Sequence, residues 1–178
     1  GLLAAFIRKD RLPHALVFTG VEGVGKKSAA LALAMVGNCE RPPIRPVDGV
    51  APELPAACQA CRPCRWILAG NHPDVIRIDP IGPMIRIDQI RDLIRTLARK
   101  PYGGGHRMVI VNQAHTMNPE AANALLKMLE EPPDNTVLIL TAPQTSDLLP
   151  TIVSRCQQIR FRPLTTPTLT ALLTAQDG

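Results

Sequence analysis

Aromatic residues are scarce in this sequence. The chain of 178 residues contains three Phe, one Trp and one Tyr, which make up 3% of it, whereas apolar residues of all kinds make up 46%. The hydrophobic core must therefore be built mainly from Leu, Ile, Val and Ala. A chain of this length can bury one sizeable core and can hold the beginning of a second domain.

Long apolar runs are also missing. No run approaches the ~18 residues that a membrane span requires, and no signal peptide is recognisable. Lys and Arg number 20 against 15 Asp and Glu, which gives a net charge of +5. This mild excess permits contact with nucleic acid without requiring it. We expect a cytoplasmic protein with no membrane partner and, because a helical pattern opens directly at residues 2–9, a fragment of a longer chain.

A glycine-rich stretch at residues 20–28 (GVEGVGKKS) is the first motif present. An apolar run precedes it and an alanine-rich helical run follows it, which is the strand–loop–helix context of a phosphate-binding loop. Glycines at Gly20, Gly23 and Gly25 let the backbone N–H groups face a phosphate, and Lys26 can reach the outer phosphates. The alternative interpretation is a glycine-rich turn that binds no ligand.

The sequence departs from that of a working ATPase at three positions, one in this loop and two after a later strand. Lys27 stands where a Ser or Thr should bind Mg²⁺, and Ser28, one position later, points about 100° away around the helix. The apolar strand at 108–111 ends in Asn112 and Gln113, where active P-loop ATPases of the additional-strand type have Asp-Glu. Neither amide supplies the negative charge that metal binding and water activation need. The pattern predicts a phosphate loop without intrinsic hydrolysis.

Four cysteines have the spacing C-x18-C-x2-C-x2-C, at Cys39, Cys58, Cys61 and Cys64. Two closely spaced C-x2-C steps allow thiolates to converge on one tetrahedral Zn²⁺. A site of four thiolates has no open position for a catalytic water, so we expect structural zinc, with Cys156 outside the set. Disulfides, buried free cysteines and a redox dithiol are the alternatives, but clustered cysteines with a metal suit a reduced cytosol better.

The remaining periodicities predict an α/β fold. Predicted strands cover residues 15–18, 75–78, 108–111, 136–141 and 158–161. Predicted helices cover residues 2–9, 29–36, 66–70, 87–100, 121–131, 148–154 (a helix or turn) and 167–175. Apolar strands that alternate with helices favour a five-stranded parallel sheet with helices on both faces, and we expect the phosphate-loop strand at its centre.

Two charged patterns are less decisive. Arg91, Arg95 and Arg99 form a stripe along the helix at 87–100, which is most simply a solvated face, with a phosphate-contacting ridge as the alternative. Glu130 and Glu131 end the helix at 121–131, where the helix macrodipole disfavours acids. That mismatch indicates a partner for these carboxylates.

Several segments together closely resemble the AAA+ module of bacterial clamp-loader subunits. They are the degenerate loop, the four cysteines, and the segments LPHA at 12–15, HPD at 72–74, AANALLKMLEEPP at 121–133 and SRC at 154–156. The resemblance covers nearly the whole chain. It implies a P-loop three-layer sandwich as the core domain at 1–163, with a four-cysteine zinc module inserted at about 38–70. The start of a helical lid domain would follow at 164–178.

Within that family the chain is most similar to the stator class, which typically lacks a working ATPase. The resemblance implies that Arg155 acts in trans, as an arginine finger on ATP held by a neighbouring motor subunit. Thr141 matches the sensor position of active relatives. The implied partners are the motor (gamma/tau) and delta subunits of the DNA polymerase III clamp loader and, indirectly, the sliding clamp and primed DNA.

Two other functions stay open at this point. One is an active motor subunit of the same loader, in which Lys26 binds ATP and Ser28 is recruited for Mg²⁺. The other is a zinc-dependent nucleic-acid-binding protein, for which Arg62, Arg65 and Trp66 near the cysteines are the supporting residues. Nucleotide binding at the degenerate loop is itself left open.

Overall fold

The computed structural model describes residues 12–41, 57–103 and 105–163. Three predicted segments lie outside these residues: the helices at 2–9 and 167–175 and the lid segment from 164 onwards. The predicted zinc module at about 38–70 is described except for residues 42–56. Within the described residues, no helix is long and apolar enough to cross a membrane.

A five-stranded parallel sheet forms the middle layer of the described structure. Its strands are β1 (Ala15–Thr19), β2 (Val75–Ile78), β3 (Arg107–Val111), β4 (Thr136–Ala142) and β5 (Gln157–Arg160). All four neighbouring pairs are parallel, and the order across the sheet is β2-β3-β4-β1-β5. The fold class predicted from the sequence is confirmed, and each strand lies within one residue of its predicted bounds at either end.

The phosphate-loop strand β1 is interior, as predicted, and lies next to the middle strand of the sheet. β4 occupies the middle, and β1 lies between β4 and β5. Burial separates the interior strands from the edge. Every residue of β1, β3 and β4 is buried, whereas β5 is largely exposed and forms an edge. A fully apolar strand indicates burial on both faces but does not distinguish the middle strand from its interior neighbours.

The helices follow the chain in a regular alternation with the strands. They are α1 (Lys26–Asn38), α2 (Arg62–Leu68), α3 (Ile87–Leu97), α4 (Pro119–Glu130) and α5 (Pro150–Val153), with 3₁₀ turns at Ala114–Thr116 and Thr145–Asp147. α2 begins earlier than predicted because Pro63 is tolerated in the first turn of a helix. α3 ends earlier than predicted, three residues before Lys100-Pro101, since the residue preceding a proline disfavours the helical region.

Two apolar cores lie on opposite faces of the sheet, and the three layers follow from them. On one face, Val17, Val109 and Leu140 pack against α3, α4 and α5. On the other face, Phe18 and Ile110 pack against α1 and α2. Because successive residues of a strand point to opposite faces, the same strands supply both cores, and Leu, Ile, Val and Ala fill most of the volume.

A buried polar network ties β2 to the segment that precedes β3. The Asp74 carboxylate accepts hydrogen bonds from the backbone N–H groups of Tyr102 (3.0 Å) and Gly103 (2.9 Å). Arg107 Nε lies 3.7 Å from Asp74 Oδ1, and its terminal nitrogens donate to the carbonyls of Leu97 and Arg99 at the end of α3. Both charged side chains are more than nine-tenths buried, so each depends on the other for compensation.

Candidate functional site

The phosphate loop connects β1 to α1 and has a backbone that requires glycine at two positions. Gly25, the N-cap of α1, has a φ of 95°, and Gly20 has a φ of 147°. A Cβ added at Gly20 would also lie 2.6 Å from the carbonyl oxygen of Phe161, so a side chain is excluded there by space as well as by backbone geometry. Gly23, with a φ of 78°, completes the turn between them.

Lys26 is folded back onto its own loop. Its Nζ donates to the carbonyl oxygens of Gly20 (2.5 Å) and Val21 (2.9 Å). Burial lowers the pKa of Lys26, and the nearby Glu22 carboxylate partly opposes that change. The lysine that a phosphate would attract is therefore held by two loop carbonyls. Its ammonium group has three donors, so one remains for an anion.

A second cation, Lys27, is paired inside the same pocket. Its Nζ lies 3.1 Å from Asp79 Oδ1, and the amide nitrogen Nδ2 of Asn112 donates to the same oxygen at 2.9 Å. Asp79 directly follows β2, and Asn112 directly follows β3. The Asp79 carboxylate is thus shared by an ammonium and an amide, which is the environment of a satisfied anion.

These residues line an open cavity of about 420 Å³ beside the loop. Gln113 follows Asn112 with a left-handed backbone (φ 50°), and its N–H donates to Thr141 Oγ1 at 3.0 Å. Asn112 Oδ1 is buried and has no hydrogen-bond partner among the described residues. The cavity lining comprises Glu22, Gly23, Gly25, Lys26, Lys27, Ser28, Asp79, Asn112, Gln113, His115, Thr141, Ala142 and Pro143. The lining carries two cations, Lys26 and Lys27, and two acids, Glu22 and Asp79, beside the N-terminus of α1, which is a position that favours an anion.

The four predicted cysteine ligands converge at one point between α1 and α2. The sulfur atoms of Cys39, Cys58, Cys61 and Cys64 all lie within 4.8 Å of one another. Thiolates about 2.3 Å from a tetrahedral zinc are roughly 3.8 Å apart, so the cluster is close to the size that the ion requires. All five cysteines lie in the described part of the chain and none forms a disulfide, and Cys156 is outside the cluster.

The electrostatics of the cluster also fit a metal centre. The backbone N–H of Cys61 donates to Cys58 Sγ at 3.3 Å, and this bond is the main cause that lowers the pKa of Cys58 to about 6. The N–H of Cys58 donates to Cys39 Sγ at 3.5 Å. Burial raises the pKa of Cys64, so without a cation that thiol would stay protonated. A divalent ion is the group that would let the buried sulfurs share one charge-compensated site.

His72 has a structural position rather than a place in the cysteine cluster. Its Nδ1 accepts a hydrogen bond from the backbone N–H of Asp74 at 3.2 Å, and burial lowers its pKa. Its ring lies 6.3 Å from that of Trp66, whose other neighbours are Tyr102 (6.1 Å between ring centroids) and the guanidinium of Arg62 (4.2 Å above the ring). The single Trp and the single Tyr of the chain therefore lie together beside the cysteine cluster.

Arg155, the predicted trans-acting residue, lies just after α5 and is not among the residues that line the phosphate-loop cavity. Its Nη1 donates to the carbonyl of Thr151 at 2.9 Å, and its Nη2 lies 2.8 Å from Glu130 Oε1 at the end of α4. The side chain remains 36% exposed. It is held on the surface, apart from the loop of its own chain.

Comparison with known proteins now identifies the family. A sequence profile for the family described as DNA polymerase III, delta subunit, matches residues 1–165. The chain belongs to this family. The delta' subunit of Bacillus subtilis is 39% identical over 99% of this chain, and that of Pseudomonas aeruginosa is 41% identical over 82% of it. The predicted resemblance to clamp-loader subunits, and to the delta' class among them, is confirmed.

The chain covers 50% of the Bacillus subtilis relative and 42% of the Pseudomonas aeruginosa one, so it spans about half the length of these curated relatives. A solved DNA polymerase III gamma subunit-related protein from Thermotoga maritima matches with a TM-score of 0.66 and 27% identity, over 94% of this chain and 46% of that one. The RuvB branch migration motor of the same organism matches with a TM-score of 0.57 at 12% identity, over 98% of this chain and 48% of that one, which shows a shared fold alone.

The structure places two acids against the predicted site residues of this clamp-loader chain: Asp79, which sequence reasoning missed, and Glu130, for which it predicted a partner without naming one. Asp79 contacts Lys27 and Asn112. The feature of the sequence that could have indicated it is its place as an acid directly after a strand, on the same edge of the sheet as the loop. Glu130 binds Arg155, and its signal was an acid at the wrong end of a helix. Neither partner could be named before the elements were placed.

Proposed function

We propose that this chain is part of a non-hydrolysing stator, the delta' subunit, of the DNA polymerase III clamp loader. The observation that carries the proposal is the pairing of Lys27 with Asp79 inside the phosphate-loop cavity. The Lys27 ammonium lies against the Asp79 carboxylate, in the cavity where hydrolysis would need a divalent cation. The subunit would contribute to clamp loading through its contacts with other subunits rather than through its own turnover.

The chemistry of hydrolysis explains why this pairing matters. Phosphoryl transfer to water needs a metal that bridges the outer phosphates and a residue that orients the attacking water. At this cavity the two residues after β3 are the neutral amides Asn112 and Gln113, and Asp79 is already compensated by Lys27. Ser28 and Thr141 line the cavity with hydroxyl groups, which are neutral and supply no negative charge for a metal. Lys26, the loop N–H groups and the three glycines would still suit a phosphate.

Arg155 is proposed to act on a neighbouring subunit. It is exposed, it lies outside its own chain's cavity, and it carries a planar permanent charge that suits the spread charge of a transferred phosphoryl group. We infer that it completes an ATP site of an adjacent motor subunit. The curated relatives include the tau subunit of Bacillus subtilis, which is 35% identical over 88% of this chain. The motor subunits are therefore proposed partners, together with delta, the sliding clamp and primed DNA.

The cysteine cluster is proposed to hold one structural Zn²⁺. Cys39, Cys58, Cys61 and Cys64 supply four sulfurs and leave no position for a catalytic water. The ion would fix the end of α1 to the start of α2 and stabilise that part of the core domain. We also propose that the core domain spans 1–163, with the zinc module at about 38–70, and that the lid domain begins at 164–178.

The test is the ATPase activity of the full-length protein, alone and in a reconstituted clamp loader. We expect no hydrolysis by the subunit alone and a partial loss of clamp- and DNA-stimulated turnover with Arg155→Ala, because the other motor sites keep their own arginines. Lys26→Ala in the same subunit should change loader turnover far less. If Lys26→Ala is the damaging change and Arg155→Ala is silent, the subunit is an active motor and the proposal fails.

One observation favours a second function of another class, contact with single-stranded nucleic acid at the zinc module. Trp66, Tyr102 and Arg62 lie together beside the cysteines, and stacking platforms flanked by arginine are typical of such contacts. Trp66 is the only tryptophan, so its fluorescence reports directly on this surface. Saturable quenching by an oligonucleotide, lost in Tyr102→Ala, would support the second function, and unchanged fluorescence at low salt would exclude it.

A further inference from the structure

Glu130, from the segment at 121–133, and Arg155, from the segment at 154–156, form an ion pair at the surface. Glu130 ends α4 and Arg155 follows α5, and they are 25 positions apart in the sequence. Arg155 Nη2 lies 2.8 Å from Glu130 Oε1, at the distance of a charge-assisted hydrogen bond. The carboxylate that the helix macrodipole disfavours thus has a cation within its own chain.

A second contact makes the guanidinium geometry definite. Arg155 Nη1 donates to the carbonyl oxygen of Thr151 at 2.9 Å, one turn earlier in the chain. The two terminal nitrogens are therefore held from two sides, by a backbone acceptor and by the Glu130 carboxylate. Five N–H donors make up a guanidinium, so donors remain that can face a ligand outside the chain.

Exposure indicates that this pair serves orientation rather than core stability. The side chain of Arg155 is 36% exposed and that of Glu130 is 51% exposed. Ion pairs at such positions contribute little to the stability of a fold, because water and salt screen them. A long arginine side chain, however, has many rotamers, and a finger that must meet a phosphate loses that freedom when it acts. A carboxylate that restricts the rotamers beforehand lowers this entropic cost.

Glu131, the next residue, provides the internal comparison. It is also exposed and also acidic, but among the described residues no hydrogen bond or ion pair involves its side chain. Both residues place a carboxylate at the end of α4, and in the described structure it is Glu130 that contacts Arg155.

We propose that Glu130 is the positioning residue for Arg155, which it holds oriented before the neighbouring subunit's ATP arrives. This inference rests on the proposed trans action of Arg155. Glu130 touches no substrate in this assignment. It acts through Arg155, and it should influence the rate of the chemical step at the neighbouring site rather than the binding of ATP there.

The experiment uses the full-length protein in a reconstituted loader in which only the adjacent motor site can hydrolyse ATP. We expect Glu130→Ala to lower kcat about 10-fold with KM for ATP unchanged, since misplacement of a catalytic group by 1 Å can cost ~10²-fold. Glu130→Gln keeps one acceptor oxygen and should lose less. The matched control Glu131→Gln should behave like the unaltered protein.

A second readout separates orientation from charge. In the isolated full-length subunit, the NMR order parameter of Arg155 Nε should fall in Glu130→Ala and stay unchanged in Glu131→Gln. If Arg155→Ala lowers kcat while Glu130→Ala leaves both kcat and the order parameter unchanged, the positioning role is wrong and the proposed finger stands. If Arg155→Ala itself is silent, the finger fails, and the positioning role fails with it.

Discussion

Lys27 and Asp79, which are 52 positions apart in the chain, form an ion pair of 3.1 Å at the phosphate loop. Lys27 belongs to the first turn of α1, and Asp79 to the end of β2. Asn112, from the end of β3, binds the same carboxylate oxygen. These contacts join the first turn of α1 to the residues that follow β2 and β3, at the position where an ATPase would assemble its metal.

Replacing Lys27 tests whether its ammonium stands in for a divalent cation. We expect Lys27→Thr to make ADP binding dependent on Mg²⁺, with about tenfold tighter binding in Mg²⁺ than in chelator, because a hydroxyl and a freed Asp79 can then share the metal. The unaltered protein should bind ADP equally weakly, or not at all, in both buffers. Calorimetric titration with and without chelator measures both.

The control for that change is Lys27→Met, which removes the charge without adding a hydroxyl. It should not gain a dependence on Mg²⁺. Hydrolysis should stay at background in all three proteins, because Gln113 cannot polarise water as an acid would. A strong Mg²⁺ dependence in the unaltered protein would contradict the assignment of Lys27.

Zinc content and its removal test the cysteine cluster. We expect one Zn²⁺ per chain by elemental analysis of freshly reduced protein, and none in Cys61→Ser. Stripping the metal should lower Tm by more than about 5 °C, because metal-binding free energy is folding free energy at a structural site. Cys156→Ser should keep both the zinc and the Tm. Metal-free protein of unchanged Tm would argue for the alternative of buried free cysteines.

Cys156 should react slowly with alkylating agents in the folded protein. Burial raises its pKa to about 12, and the thiolate is the reactive form. The group gains its charge only near that pH, so alkylation at pH 8 should be on the order of 10³-fold slower than for an exposed thiol with a pKa of about 8.5. The rate should rise about tenfold for each pH unit while the fold persists. Mass spectrometry of iodoacetamide-treated protein follows it, with urea-unfolded protein as the reference for full labelling.

The buried pair of Asp74 and Arg107 should dominate the stability of the β2–β3 half of the sheet. Asp74→Ala leaves a buried guanidinium without its counter-charge and two backbone N–H groups without an acceptor, and it should lower the free energy of unfolding by about 3–5 kcal/mol. The control is Asp88→Ala, which breaks an exposed pair with Arg91 and should change it by less than about 0.5 kcal/mol. Urea unfolding measures both, and equal effects would refute the role of burial.

Local sequence patterns were sufficient to predict the secondary-structure elements, the phosphate loop and the cysteine set. β1, β3 and β4 are short, mainly apolar runs, and burial on both faces selects such runs independently of which strand lies beside which. The phosphate loop is a local backbone geometry that glycines at 20, 23 and 25 allow. The cysteine set was predictable because two C-x2-C steps already bring three sulfurs close, and only Cys39 had to arrive from a distance.

Contacts between distant segments were decided by the tertiary structure. Strand order places β4 in the middle and brings the ends of β2 and β3 beside the loop, and that order creates the contacts of Asp79 with Lys27 and Asn112. The packing of α4 against α5 likewise brings Glu130 to Arg155. A sequence specifies which residues favour burial or charge, because those preferences are properties of single side chains and their neighbours. It leaves open which charges meet, because that depends on how helices and strands pack in three dimensions.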